Sequence, residues 1–209
     1  MSTLFDLSLR DVLAVASSAE PTPGGGSVAA LAGMFATSMV SMVANLTIGK
    51  DKYKDVEAQI EALRAQALAV SADLERLVQE DMHAFAGYMA AIRMPKCTDA
   101  ERCHRQAAMK AAAVNATEVP LAIAAACLEG LRIAEALAPI GSKLAISDVG
   151  VGAYLGEAAL KAALLSVEIN LPAIDDAAYV AGIRDKMTQL VAEAAKLQAS
   201  AVSIVRERM

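Results

Sequence analysis

The sequence has 209 residues, of which 56% are hydrophobic and only 3% aromatic, with a formal net charge of −5 and an isoelectric point of about 5.1. That length admits one domain with a substantial core, and an acidic chain without a basic stripe lacks the counterion release on which nucleic-acid binding depends. Three cysteines, Cys97, Cys103 and Cys127, and two histidines, His83 and His104, cannot all pair and match no zinc-ligand spacing, so reduced thiols, surface histidines and no metal are expected. The apolar share is carried by Ala, Leu, Val, Ile and Met, the composition of closely packed helices. A mean hydropathy of +0.42 predicts that another subunit covers part of the surface. The opening MSTLFDLSLRD places an acid early and no basic region ahead of an apolar run, which predicts no secretory signal and a cytoplasmic protein.

In chain order, Ser8 and Asp11 have the spacing of a capping box. Leu9, Val12, Leu13 and Val15 follow as a short apolar face, which predicts a helix ending near Ser17. The next stretch, Pro21 to Gly49, carries no charge over 29 positions. Two prolines and the glycines Gly24, Gly25 and Gly26 lead into a helix predicted from about Ser27 to Thr47 and stopped by Gly49. Such glycines either permit a tight turn or present bare backbone N–H groups to an anionic or polar ligand. The run is long enough to span a bilayer. Against that, Ser27, Thr37, Ser38, Ser41, Asn45 and Thr47 punctuate it, no aromatic belt flanks it and no second comparable span follows, so it reads as the central helix of a bundle and no membrane is expected.

After the charged bridge Lys50 to Lys54, the apolar residues Val56, Ile60, Leu63, Ala67, Val70, Leu74 and Leu77 recur at steps of four and three. This predicts a long helix ending by Arg93, before Pro95. Asp81 takes the next seam position, ahead of Phe85, Tyr88 and Ile92, and a carboxylate on such a line costs stability unless it has a partner or a task. Thr98 and Glu101 form a second capping box, opening a helix to about Thr117, with Pro120 either kinking it or marking a new helix from Glu118. Leu121 to Leu137 is Ala-rich and helical, closed by Pro139 and Gly141. Ser147 and Asp148 open another helix, thinned by Gly150, Gly152 and Gly156 and ended by Pro172; Asp175 and Asp176 offer caps for a last helix from about Ala177 to Arg206. With no alternating strand pattern and no repeat, the fold class is all-α, a single-domain bundle of long helices over residues 1–209.

Polar groups stand where packing does not ask for them in four places: Gly24 to Ser27, Asn45 with Lys50 to Tyr53, Asp81 with Arg93, and Ser147 with Asp148. Each also has a structural reading. An acid in a first turn stabilises a helix by itself, three lysines make a solvated corner, and a carboxylate in a seam can belong to a buried ion pair. No Ser-His-Asp, Walker or HExxH pattern is present.

The segments PTPGGGSVAALAG, MVANLTIGKDKY, QEDMHAF, RMPKCTDAE, ISDVGV and VEIN stand in the order and spacing of the formiminotransferase-cyclodeaminase C-terminal family. The chain resembles the family's free-standing cyclohydrolase branch over almost its whole length. The resemblance implies an all-helical homodimer that binds a reduced folate in a cleft and uses no metal or other cofactor. It carries over to Pro23 to Ser27, Asn45, Gly49, Lys50, Lys52, Tyr53, Asp81, Phe85, Arg93, Pro95, Ser147, Asp148 and Asn170. Two positions depart from it, Ser142 and Ser166, where relatives often carry asparagine.

The expected reaction is hydrolysis of 5,10-methenyltetrahydrofolate to 10-formyltetrahydrofolate and its reverse. In it Asp81 and Asp148 act as carboxylates toward the cationic carbon and its water, and Ser27 and Asn45 as polar positioners. Lys50, Lys52 and Arg93 are expected to hold the folate glutamate, and the empty enzyme to pair Asp81 with Arg93 or Lys50. The alternative within the family is formiminotetrahydrofolate cyclodeaminase, which releases ammonia; a chain without a transferase domain favours the cyclohydrolase. Outside the family's chemistry, a non-catalytic helical dimer is the competing expectation.

Overall fold

The computed structural model describes residues 3–209; Met1 and Ser2, which open the stretch read for a targeting signal, lie outside it. Six α-helices follow in order: α1 Leu9–Ala16, α2 Gly25–Asn45, α3 Glu57–Ile92, α4 Asp99–Leu137, α5 Ile146–Asn170 and α6 Ala177–Arg208. Short 3-10 turns at Asp51–Val56, Lys143–Ala145 and Leu171–Ala173 join the longer ones, and no strand occurs among the described residues.

Side-chain caps fix the helix starts. The Ser8 hydroxyl accepts the Asp11 N–H at 3.2 Å, and the Asp176 carboxylate accepts that of Tyr179 at 3.0 Å. Thr98 and Glu101 cap reciprocally, the Glu101 carboxylate accepting the Thr98 and Cys97 N–H groups at 2.8 Å each and the Thr98 hydroxyl accepting the Glu101 N–H at 3.2 Å. Those bonds hold the Glu101 carboxyl below its usual range. The central helix departs from its predicted limits: it begins at Gly25 and ends at Asn45, so two of the three glycines lie in its first turn with Gly24 as cap. Gly49 stands beyond it at φ 76, where glycine is the favoured residue.

Pro120 does not start a new helix; α4 runs through it unbroken. A proline has no N–H for the carbonyl four residues back, which here is that of Ala116. The Asn170 side chain donates to that carbonyl at 2.7 Å, so the end of α5 satisfies the acceptor that Pro120 leaves open.

The packing of α2 on α3, α4 and α5 sets the architecture. Its Gly33 faces Leu74 of α3 and Cys127 of α4, and Gly152 of α5 faces Ala36 and Val40. A Cβ at Gly33 would lie 2.7 Å from the Cys127 sulfur, and one at Gly152 2.9 Å from the Ala36 carbonyl oxygen, so small residues decide how closely these helices cross. Pairing Asn45 with Arg64, Ser27 with Asp81 and Gly25 with Ser166 makes α3 and α5 antiparallel to α2. α6 closes the bundle against α4 and α5, with Arg132 bonded to Glu193 at 2.8 Å and Val205 against Gly150. Burial pushes the Cys127 thiol up to about 12; Cys97 and Cys103 are exposed, and all three are free.

One sequence expectation is corrected. The uncharged run is not alone: α2, α4 and the segment Lys143–Ala173 are all long and apolar enough to cross a membrane by length and composition. Between 50% and 56% of each apolar window is buried within the bundle, so these windows build the core. Part of the remainder is an apolar groove between α2 and α5, about 470 Å³ in volume, formed by Val28, Ala32, Leu155, Ala162, Leu165 and Ile169. Nearby Phe35 is 53% exposed and Ile169 78%. The apolar face of α1 is also left open: no residue of that helix is buried, and Leu9 and Leu13 are more than 60% exposed.

Candidate functional site at the start of the central helix

The first turn of any α-helix leaves its N–H groups without intrahelical acceptors and with a partial positive charge. In α2 this turn begins with Gly24 as cap, which has no side chain to occupy those donors. The N–H groups of Gly25, Gly26 and Ser27 therefore stay available. Asp81 reaches this point from α3, 54 positions further along the chain, and its Oδ2 accepts the Ser27 hydroxyl at 2.7 Å. A Cβ on Gly26 would fall on the Asp81 carboxylate, so glycine here is required by close approach rather than by an unusual φ.

A cavity of about 420 Å³ opens over the pair, walled by Gly24, Asp81, Phe85, Tyr88, Ser166 and Asn170 among others. The turn before it contains a cis Thr22–Pro23 bond. Asn170 spends its amide group on the carbonyls of Ala116 and Ser166, at 2.7 and 2.8 Å, which leaves its Oδ1 as the atom it can offer the cavity. Ser166 stands against Gly25. A carboxylate in reach of a hydroxyl and a helix N-terminus can hold a cation and take a proton, while the free N–H groups can meet an oxygen that gains negative charge.

Asp81 itself is half-buried, because its seam leaves the core here for the cavity. The expectation that Arg93 or Lys50 pairs with it is corrected by the Ser27 bond. Arg93 stands 12 residues further along α3 and is exposed, about 18 Å away at the rise of an α-helix, and Lys50 lies past the other end of α2.

The remaining expected site residues gather at that other end. Asn45 accepts from Arg64 at 3.1 Å. Lys50 and Lys52 are exposed, and the Lys52 ammonium lies 5.6 Å from the centre of the Tyr53 ring. The Tyr53 hydroxyl accepts the Lys143 N–H at 3.1 Å, which draws its pKa down. Next to it the buried Thr47 hydroxyl accepts the Ser142 N–H at 2.8 Å. These two bonds hold the turn that leads into α5, and so bring exposed Ser147 and half-buried Asp148 to the Lys50 end. Within one chain the expected site residues thus form two clusters, Gly24 to Ser27 with Asp81 and Asn45 to Tyr53 with Ser147 and Asp148, separated by nearly the length of α2, about 30 Å. His83 and His104 are exposed.

Sequence reasoning missed Tyr88 and Ser166 as cavity walls, and it missed Arg105, whose surroundings depend on how α3 and α4 turn toward each other. The one available signal was the cluster of basic residues Lys96, Arg102, Arg105 and Lys110 around the start of α4.

Fold and site together define an all-α bundle protein whose candidate chemistry rests on a carboxylate held at the N-terminus of its central helix. The chain belongs to the formiminotransferase-cyclodeaminase family, whose sequence profile matches residues 8–189. It is 38% identical over 193 residues to the methenyltetrahydrofolate cyclohydrolase of Methylorubrum extorquens, covering 92% of this chain and 93% of that protein. With the formimidoyltransferase-cyclodeaminase of Rattus norvegicus it shares 32% identity over 200 residues, 96% of this chain but 37% of that longer protein. The crystal structure of formiminotetrahydrofolate cyclodeaminase from Thermotoga maritima superposes with a TM-score of 0.88, at 26% identity and 98% coverage of both chains.

Proposed function

We propose that this chain hydrolyses 5,10-methenyltetrahydrofolate to 10-formyltetrahydrofolate, and runs the reverse ring closure, as an enzyme of one-carbon metabolism in the cytoplasm with no cofactor beyond its folate. The reading is carried by the Ser27–Asp81 pair, set in a cavity at the donor end of α2, in a chain so similar to a cyclohydrolase over nearly its full length.

The substrate carbon sits between N5 and N10 and shares their positive charge. Asp81 offsets that charge, which would otherwise be repelled by the helix N-terminus. Water adds to the carbon and gives one proton to the Asp81 carboxylate; Ser27 keeps that carboxylate turned toward the reaction. The new oxygen faces the free N–H groups of α2. As its second proton leaves, the carbonyl forms and the bond to N5 breaks. N5 takes up one of the two protons and the other goes to solvent, so the overall step consumes water and releases one proton.

A homodimer completes the site. A two-fold axis across the exposed apolar face of α2 and α5 turns the helices of the two copies antiparallel, which sets the Asp81 cavity of one beside the Asn45, Lys50 and Asp148 end of the other. Residues that one chain keeps about 30 Å apart then share a site. Mixing inactive Asp81→Asn with inactive Asp148→Asn protein under subunit exchange is expected to restore about a quarter of wild-type activity, because half the dimers are mixed and each has one intact site. No recovery, or a folded active monomer in sedimentation at low micromolar concentration, overturns the shared site.

The second reading is 5-formiminotetrahydrofolate cyclodeaminase, favoured by the structural match to the Thermotoga maritima enzyme. Purified protein is expected to bleach methenyltetrahydrofolate absorbance and to release no ammonia from 5-formiminotetrahydrofolate. Ammonia release with no bleaching assigns the second reading instead.

A further inference from the structure

At the far end of α2, Asn45 is held by a residue that packing alone does not call for. Arg64 is half-buried on α3, and its Nη1 donates to the Asn45 Oδ1 at 3.1 Å. Its Nε is buried with no hydrogen-bond partner among the described residues, and none of the ion pairs among them includes it. Other anchored arginines are placed differently: Arg76, Arg102 and Arg132 meet carboxylates, and Arg105 and Arg208 donate to backbone carbonyls. A buried nitrogen without an acceptor and a guanidinium without a counterion both cost stability.

The bond has a directional consequence. A guanidinium only donates, so it can face only the oxygen of the amide, and the Asn45 Nδ2 is turned the other way. That nitrogen donates to nothing among the described residues, and Asn45 itself is exposed. It lines a cavity of about 350 Å³ between α2 and α3, whose other walls include Ser38, Met42, Leu68 and Ser71. Without Arg64, an exposed amide is free to turn and to offer its oxygen in place of its nitrogen.

We propose that Arg64 is a positioning residue for the reaction: by binding Oδ1 it fixes Asn45 as a donor to an acceptor atom of the folate. The inference rests on the shared site proposed above, in which antiparallel pairing brings this end of one chain to the Asp81 cavity of the other. The levels along the helices agree with it. Ser27 meets Asp81 and Asn45 meets Arg64, so a two-fold axis that exchanges the ends of α2 also exchanges the levels of Asp81 and Arg64 on α3. The charge of Arg64 has a use there as well. A cation bonded to the amide oxygen polarises the amide and strengthens its N–H groups as donors, and it does so without touching the substrate.

The test is a double-mutant cycle read in kcat/KM for methenyltetrahydrofolate, with melting temperatures measured on the same preparations. Arg64→Met, which keeps much of the length and the apolar stem of arginine, is expected to lower kcat/KM about tenfold, the scale of one hydrogen bond to a charged group, with a Tm at or above that of the wild type. In an Asn45→Ala background the same change is expected to cost less than about twofold, because the residue it acts through is gone. Asn45→Asp keeps the oxygen that Arg64 binds and lacks the donor; it is expected to lose about tenfold as well, although its pair with Arg64 is stronger. Wild-type kcat/KM in Arg64→Met, an equal loss in the two backgrounds, or full activity in Asn45→Asp overturns the positioning role and leaves the functional reading standing. A wild-type protein that does not turn over methenyltetrahydrofolate overturns the functional reading itself.

Discussion

Asp81→Asn is expected to lower kcat by about 10² to 10⁴, roughly 3 to 5 kcal/mol of barrier, the usual loss when a general base is removed. The amide keeps the shape of the carboxylate, and its oxygen still accepts from the Ser27 hydroxyl that now bonds Oδ2 at 2.7 Å. What it loses is the negative charge that balances a cationic substrate and the site for the water proton. The stability change is expected to be no more than about 2 kcal/mol, the upper range for a charge at a partly buried helix N-terminus. Turnover and melting temperature measured on one preparation decide the matter. Near-normal kcat in a protein of lowered Tm makes Asp81 a structural carboxylate and removes it from the mechanism.

Gly26→Ala is expected to reduce kcat/KM about 100-fold, because its new methyl group occupies the place of the Asp81 carboxylate, and misplacing a catalytic group by about 1 Å costs on that order. Helix content is expected to hold, as alanine is favoured over glycine inside a helix by about 1 kcal/mol. In the sequence Gly24, Gly25 and Gly26 are equal candidates for a tight turn or a bare donor. The structure narrows this to Gly26: a Cβ at Gly25 has only the Ser166 hydroxyl near it, at 3.7 Å, an ordinary contact. Gly25→Ala is therefore expected to cost less than Gly26→Ala. Full activity in Gly26→Ala, with circular dichroism unchanged, would show that the carboxylate does not need its present position.

Features carried by neighbouring residues were legible in the sequence. The caps Ser8, Thr98 with Glu101, and Asp176 act over three or four positions, and so do the apolar steps from Val56 to Leu77, so helix existence and type followed from local spacing. The same steps marked Asp81 as anomalous, since an acid in an apolar register is visible without knowing what faces it. What Asp81 faces was not visible. Its partner Ser27 is 54 positions away, and helical phase names the face of α3 but not the helix that meets it.

The continuity of α4 through Pro120 was decided in the same way. The lost backbone bond is a local penalty, but its remedy, the Asn170 amide on the Ala116 carbonyl, comes from a helix end 50 residues later than Pro120. The sequence therefore left a kink and a break open, and packing removed the break. The division of the expected site residues between the two ends of the bundle also came only from the fold. Sequence order sets Asn45 among the polar residues that follow Ser27, yet an α-helix converts the 18 positions between them into about 27 Å of rigid rod. The antiparallel runs of α3 and α5 then carry Asp81 and Ser166 to one end of that rod and Asp148 to the other. By itself the sequence determined an all-helical chain, its caps and the residues unsuited to plain packing, because those depend on interactions within a turn or two. Only the tertiary structure decided which of those residues meet, because that depends on which helix faces bury one another.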